Sequence, residues 1–533
     1  MSTQTNFNYL FVSDLHLSEG RDPQTGLIHR NEDFFEDNAF AQFVAYHAAL
    51  SRNPEASAYY QKPWKLVING DIFDFLQVVS LPAEGDELVK VTGASRYKDL
   101  SANVCKFGLG TQSKEIVWKL NRIAAGHPLF FQALAWFLAQ EGNELVCMKG
   151  NHDIELYWPA VQHRMKTLLT EAYREWYNHH DTECPLPVYD DMPAELDPNI
   201  LRTAVHFPPF HLYEPDLFYA EHGCQYDPAN AFANFDDPRL PDKPELLELP
   251  SGSLFVRYFF NRVESIHPFA DNLKPISRYI FWLLQNAPAE IVNIAANILP
   301  DYLFAWWETR QKTKKKTKPQ APNEPFRQEL LKIHLESQKM LGKASRKTTL
   351  FMSGSGILLF TAVFLFFILI RAAGAGQYVL GAVLLLLILI TLAGSLTLFH
   401  SLNKLLTEPY LYTAAQNVAR LLKKQPDMRD ARYLIFGHDH AAKMWKIPPQ
   451  EGDGAPNYRQ WYVNTGSWIP VFSEEERLER PSAHLTFFRL VPEHIQDNAP
   501  HGDVPELLRW SPEAGRPLPA RLFSGEEKRN CDT

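Results

Sequence analysis

Cysteine is scarce in this sequence: there are five in 533 residues, and no two stand at C-x-x-C spacing. Cys105, Cys147, Cys184, Cys224 and Cys531 are odd in number and scattered. That argues against a disulfide framework or a structural zinc knot and fits reduced thiols. An excess of positive charge is missing too. The formal net charge is −9, so nothing draws the whole chain to a polyanion, and no nucleic-acid partner is expected. Met1 to Asn8 is polar and lacks the basic-then-apolar order of a secretory signal. Composition is that of an ordinary folded protein, which excludes a disordered or collagen-like chain. The length allows two or three domains.

What is present begins with order. Tyr9–Val12, Leu66–Ile68 and Leu145–Met148 are short apolar runs that read as buried strands, with a helical pattern over Asn38–Leu50 between the first two. This β–α–β order predicts an α/β domain, in which ligands collect at the carboxyl ends of the strands. Each run ends in a polar cluster at such a position. Residues 154–215, rich in Tyr, Trp, His and Pro, are expected to form a cap-like insert over the site. Residues 253–308 are helical in pattern and carry many aromatics, among them Phe255, Tyr258, Phe259, Trp282 and Trp307. Two readings stand side by side there: a small second core, or a surface resting at a membrane interface.

Residues 309–349 are basic and read as a linker, its Lys- and Pro-rich stretch Gln311–Pro325 solvated. Leu350–Ile370 and Tyr378–Phe399 follow, each without a charged residue and each about the 20 residues that span a bilayer. They predict a two-helix transmembrane hairpin over 350–399. Lysines and arginines crowd both flanks while Arg371 alone lies in the turn, so the positive-inside rule places both flanks in the cytoplasm. The expectation is a multi-pass protein of the cell's inner (cytoplasmic) membrane with its soluble domain on the cytoplasmic side and the bilayer as a partner. A soluble domain, 400–533, resumes with strand-like Arg432–Phe436 and Trp461–Val463, completing the domain begun in residues 1–252.

Five clusters carry the chemistry: Asp14-x-His16; Gly70-Asp71-x-x-Asp74; Gly150-Asn151-His152-Asp153; His222-Gly223; and Gly437-His438-x-His440. One such match is usually a turn, but five in this order, each after an apolar run, are hard to obtain by accident. Carboxylates, imidazoles and an amide oxygen suit divalent ions of intermediate hardness, such as Mn, Fe or Zn. Glycines beside them let the backbone turn sharply. Asp14, His16, Asp71, Asn151, His222, His438 and His440 are too many for one tetrahedral site and suit two ions sharing a carboxylate. Two ions about 3.5–4 Å apart activate a bridging hydroxide and clamp a phosphoryl group for in-line displacement.

The motif set resembles that of the calcineurin-like metallophosphoesterases, in blocks scattered over residues 9–223 and 432–468. The resemblance implies a four-layer α/β/β/α sandwich. Asp14, His16 and His440 would hold one ion, Asn151, His222 and His438 the other, and Asp71 would bridge them. His152 would stabilise the phosphoryl oxygens and protonate the leaving oxygen, Asp153 would orient His152, and Asp74 would support from behind. Phe11–Leu17 and Gly70–Asp74 are also similar to the UDP-2,3-diacylglucosamine pyrophosphohydrolases. This chain departs from that subgroup, which commonly has Arg where His152 stands, is much shorter and lacks a hairpin.

The expected function is therefore a membrane-anchored, two-metal hydrolase of phosphate ester or pyrophosphate bonds, with a lipid-linked substrate favoured. The alternatives are a tethered enzyme for soluble nucleotides or phosphoproteins, and a non-catalytic module. Arg21, His29 and Arg30 read as a solvated loop that would otherwise touch a phosphate. His206 and His211 read as structural, His179 and His180 as surface, and Cys224 as a bystander near His222.

Overall fold

The computed structural model describes residues 7–180, 183–263, 293–312, 324–341, 383–391, 410–425, 431–448, 460–471, 482–492 and 506–520, with a few isolated residues between 361 and 428. Two large β-sheets organise them, beside two small pairs, β7 (Arg239–Leu240) with β8 (Lys243–Leu247) and β12 (Pro470–Val471) with β13 (Ser482–Ala483). The larger runs β16-β15-β14-β1-β2-β3-β4. Its parallel half consists of β1 (Asn8–Val12), β2 (Trp64–Asn69), β3 (Glu144–Met148) and β4 (Val205–His206). Its antiparallel half consists of β14 (Thr486–Leu490), β15 (Glu506–Ser511) and β16 (Arg516–Pro519). The smaller sheet runs β10-β11-β9-β6-β5. In it β6 (Phe218–Ala220), β9 (Tyr433–Phe436) and β11 (Gln460–Asn464) are parallel, flanked by β5 (Leu212–Glu214) and β10 (Lys443–Ile447).

Side-chain alternation stacks the sheets. Successive residues of a strand point to opposite faces. Tyr9 and Phe11 of β1 enter one apolar cluster with Val67, Val146 and Met148, together with Phe218, Ala220, Ile435 and Val463 of the smaller sheet. Leu10 and Val12, one residue out of phase, enter another with the helices Asp37–Arg52, Ser113–Gly126, Pro128–Leu138 and Pro159–His179. On the far side Leu434 and Phe436 meet Leu411, Ala415 and Val418 of helix Tyr410–Lys423. The layers are helix, sheet, sheet, helix, a mixed α/β arrangement. Local signals set the helices: Asp37 and Arg52 complement the dipole of the first, and Gln112 with Glu115 forms a capping box on the second.

The membrane expectation is corrected. Among the described residues no helix is long and apolar enough to cross a membrane. Most of 350–399 lies outside the described residues. The transmembrane hairpin, the inner-membrane multi-pass localisation and the bilayer as partner are withdrawn.

Two other stretches contribute helices to the cores. Within 154–215, helix Pro159–His179 buries Val161, Met165, Leu169, Tyr173 and Trp176 in the outer core. Part of the expected basic linker is a docked helix, 325–341, which buries Phe326 and Leu330 against Tyr219 and Phe436. Of the aromatic region, Val256, Phe260, Val263 and Ile298 form a small core around Leu76. Residues 264–292 of that region lie outside the described residues.

Candidate metal centre

All five sequence clusters meet at one edge of the molecule. Asp14 and His16 follow β1, Asp71 and Asp74 follow β2, Asn151 to Asp153 follow β3, His222 follows β6, and His438 and His440 follow β9. Both sheets thus contribute from the carboxyl ends of their parallel strands.

The backbone there is strained. Asp14, His16, Asp71, His438 and His440 all have positive φ, between 52° and 74°. Such a conformation costs a non-glycine residue roughly 1–3 kcal/mol and persists only where its surroundings impose it. The loops after β1 and β2 impose it on each other. Leu15 and His16 both donate backbone N–H groups to Asp71 O at 2.9 Å, and Leu17 donates to Ile72 O. Ser13 Oγ lies 2.7 Å from Thr465 Oγ1, and the His438 N–H donates to Asp14 Oδ2 at 3.0 Å. The distant chain segments are thereby locked to the first motif.

Asp71 lies within reach of both His16 and His222. Asp14 Oδ1 lies 3.3 Å from His440 Nε2 and 3.9 Å from His16 Nε2. Asp71 Oδ2 lies 3.9 Å from His16 Nε2 and 3.1 Å from His222 Nε2. Three sets of donor atoms fall within 4.8 Å of one another: Asp14, His16 and His440; His16, Asp71 and His152; and Asp71, His222 and His438. Asp71 belongs to the last two.

The polar atoms at the centre fit cations. Asp14 Oδ1, His16 Nε2, Asn151 Oδ1 and His222 Nε2 are buried and have no hydrogen-bond partner. Leaving such groups unsatisfied costs about 1–3 kcal/mol each. His222 makes the point most sharply. Its Nδ1 lies 2.8 Å from the carbonyl of Asn69 and must donate to it. In the neutral ring, Nε2 then aims a lone pair at a carboxylate oxygen 3.1 Å away. Two acceptors face each other there, and a cation resolves the conflict. Without one, protons must serve. Burial works against the charged imidazolium of His222, but Asp71 outweighs it and lifts the pKa to about 9. Asp71 itself is driven far down: burial opposes ionisation, and the surrounding imidazoles, His222 first, overcome it.

His152 stands beside the donor groups, its ring edge-on to His16 at 4.5 Å between centroids. Its Nδ1 lies 2.5 Å from Asp74 Oδ2. Burial would lower its pKa, yet the Asp74 charge raises it above the ordinary value. The residue oriented against His152 is thus Asp74, not Asp153. Asp153 turns inward, where its carboxylate accepts the N–H of Gly150 at 2.6 Å and of Ile72 at 2.8 Å. It fastens the loop after β3 to the loop after β2. Sequence spacing favoured Asp153 because it adjoins His152, but adjacent residues in a turn point apart.

Other sequence candidates lie elsewhere. Arg21 donates to Gly26 O within its own loop, and His29 Nε2 sits 3.4 Å from Glu19. His206 pairs with Glu144 at 3.3 Å, and His211 stacks on Tyr219. Cys224 is buried, and burial pushes its thiol well above the usual range, so it is no nucleophile. Asp227 faces His438 and was missed; it carries no motif of its own, only a place five residues after His222.

No family model matches the chain, and no curated protein or solved structure matches it either.

Proposed function

We propose that this protein is a two-metal phosphoesterase of the calcineurin-like type, hydrolysing a phosphate ester or pyrophosphate bond. The observation that supports the reading best is the position of Asp71, 3.9 Å from His16 Nε2 and 3.1 Å from His222 Nε2, amid buried donor atoms that have no hydrogen-bond partner. Asp14, His16, His440 and Asp71 would hold one divalent ion; Asp71, Asn151, His222 and His438 would hold the second. Manganese suits this oxygen and imidazole set, as do iron and zinc. When bound, such ions lower the pKa of water and neutralise phosphoryl oxygens.

The chain's own groups supply the rest. His152, with Nδ1 committed to Asp74, has Nε2 left for substrate, and the raised pKa favours the form that donates a proton to a leaving oxygen. Asp74 fixes that ring, and the bonds from Asp153 hold the loop carrying Asn151 and His152 in place. With the hairpin withdrawn, the preference for a lipid-linked substrate loses its ground, and the bond class alone is proposed.

The test is manganese-dependent hydrolysis of bis(p-nitrophenyl) phosphate by wild type, Asp71→Asn and His152→Ala. Wild-type activity, abolished in the first variant and cut about 10²–10⁴-fold in the second, is expected. Equal activity in all three proteins would overturn the assignment.

A further inference from the structure

We infer that Asp227 is a positioning residue for the second ion: it holds His438 by Nε2 and so commits the Nδ1 atom of that ring to the metal. The inference rests on the proposed two-metal centre and deepens it.

Its first support is the contact itself, with Asp227 Oδ2 3.4 Å from His438 Nε2. The second is that the carboxylate is fixed independently of His438. Its Oδ1 accepts the N–H of Ala229 at 2.9 Å, and its Oδ2 accepts the side-chain amide of Asn230 at 2.8 Å. The loop around it is closed by backbone bonds from Asp227 N to Cys224 O and from Ala231 N to Asp227 O. The third is that His438 is gripped at its backbone too, where its N–H donates to Asp14 Oδ2. Rotation of the ring is what remains to be set, and Asp227 is placed to set it.

The same device recurs around the centre. His222 spends Nδ1 on Asn69 O, and His152 spends Nδ1 on Asp74. In each ring one nitrogen is tied to an oxygen, which fixes the tautomer and leaves the other bare. His438 uses the opposite nitrogen for the tie, so its metal-facing atom is Nδ1. The loop that supplies Asp227 also supplies His222, so a single turn after β6 provides one ligand and aligns another from β9. A hydrogen bond from a ligand imidazole to a carboxylate typically sustains metal affinity by 10–100-fold.

The experiment counts and titrates manganese in the full chain for wild type, Asp227→Asn, Asp227→Ala, His438→Ala and the double variant Asp227→Asn/His438→Ala. Binding is read by calorimetry and by the exchange-coupled electron paramagnetic resonance signal of a manganese pair. Asp227→Asn keeps an acceptor for Ala229 N–H, so the loop stays fastened while the charge is lost. Asn230→Ala is the control that loosens the loop but keeps the carboxylate. Expected is a loss of about 10–100-fold in affinity for one ion of the two in Asp227→Asn, loss of the coupled signal at sub-saturating metal, and no further loss when His438→Ala is already present. Wild-type affinity for both ions in Asp227→Asn would overturn the inference while leaving the two-metal reading intact. So would outright loss of the ion in Asp227→Asn, as severe as in His438→Ala, since Asp227 would then be a ligand. A wild type that binds no ion would overturn both.

Discussion

Adding one methyl group at Gly150 should dismantle the centre without touching a ligand. A Cβ there would stand 2.0 Å from Asp71 Oδ1, 2.6 Å from Asp71 Cγ and 2.7 Å from Asp71 N. Ordinary contact starts near 3.4 Å, so the carboxylate must move by more than about 1 Å. It cannot rotate away freely, because Asp71 Oδ1 also accepts the N–H of His152 at 2.8 Å. Binding sites tolerate about 0.5 Å of displacement, and a misplacement of about 1 Å costs on the order of 10²-fold in turnover. Overpacking should also lower stability by about 1–3 kcal/mol. Gly150→Ala is thus expected to bind manganese at least about 10²-fold more weakly and to hydrolyse bis(p-nitrophenyl) phosphate about 10²-fold more slowly, by titration calorimetry and steady-state assay. Gly26→Ala is the control: its φ is +71°, which strains a side chain, but nothing lies within 4 Å of a Cβ there. It should lose about 1–2 kcal/mol of stability at most and no metal. Gly150→Ala with wild-type manganese affinity would show that Asp71 is not held where the account needs it.

Three further outcomes are expected. Asp74→Asn should lower kcat and move the basic limb of its pH profile to lower pH, because the charge that raises the His152 pKa is lost. Asp74 Oδ2 also lies 3.6 Å from His16 Nδ1, so manganese affinity should fall by about 10–100-fold as well; a profile identical to wild type would sever Asp74 from His152. His127 lies 3.1 Å from both Glu32 and Asp37; burial opposes its charge, but Glu32 and Asp37 lift its pKa from 6.5 to about 10. A raised folded-state pKa adds stability that is complete below about pH 6.5 and is lost as pH climbs through about 10. His127→Gln should therefore melt lower than wild type at pH 6, by on the order of 3–5 kcal/mol of lost stability, and the gap should close by pH 10.5; a constant gap contradicts the pairing. Leu330→Ala should cost about 2–5 kcal/mol in urea unfolding, since Leu330 is fully buried in the outer core of the smaller sheet. A change below about 0.5 kcal/mol would mean that helix 325–341 is not docked.

Much of the candidate centre was legible because its donor residues sit where short, unbroken apolar runs stop. Tyr9–Val12, Leu66–Ile68 and Leu145–Met148 lie within β1, β2 and β3, and their polar ends converge. What misled was local adjacency and composition. Asp153 adjoins His152 in sequence, yet Asp74, 78 positions away, meets the ring. Asp227 has no motif, and only the turn after His222 brings it to His438. Lysines nearby made 309–349 read as a basic linker, although Phe326, Leu330 and His334 recur every fourth residue and are all buried on one helix face. The positive φ values of Asp14, His16, Asp71, His438 and His440 had no sequence signal at all, because such strain is set by the loops pressing on one another.

The central claim is that two divalent ions share Asp71. Its most direct test is the manganese content of the purified chain after metal loading and desalting, for wild type and Asp71→Asn. The account predicts two ions per wild-type chain and loss of the coupled pair in the variant. A wild type that retains no manganese, zinc or iron, or a variant that retains two coupled ions, would contradict it.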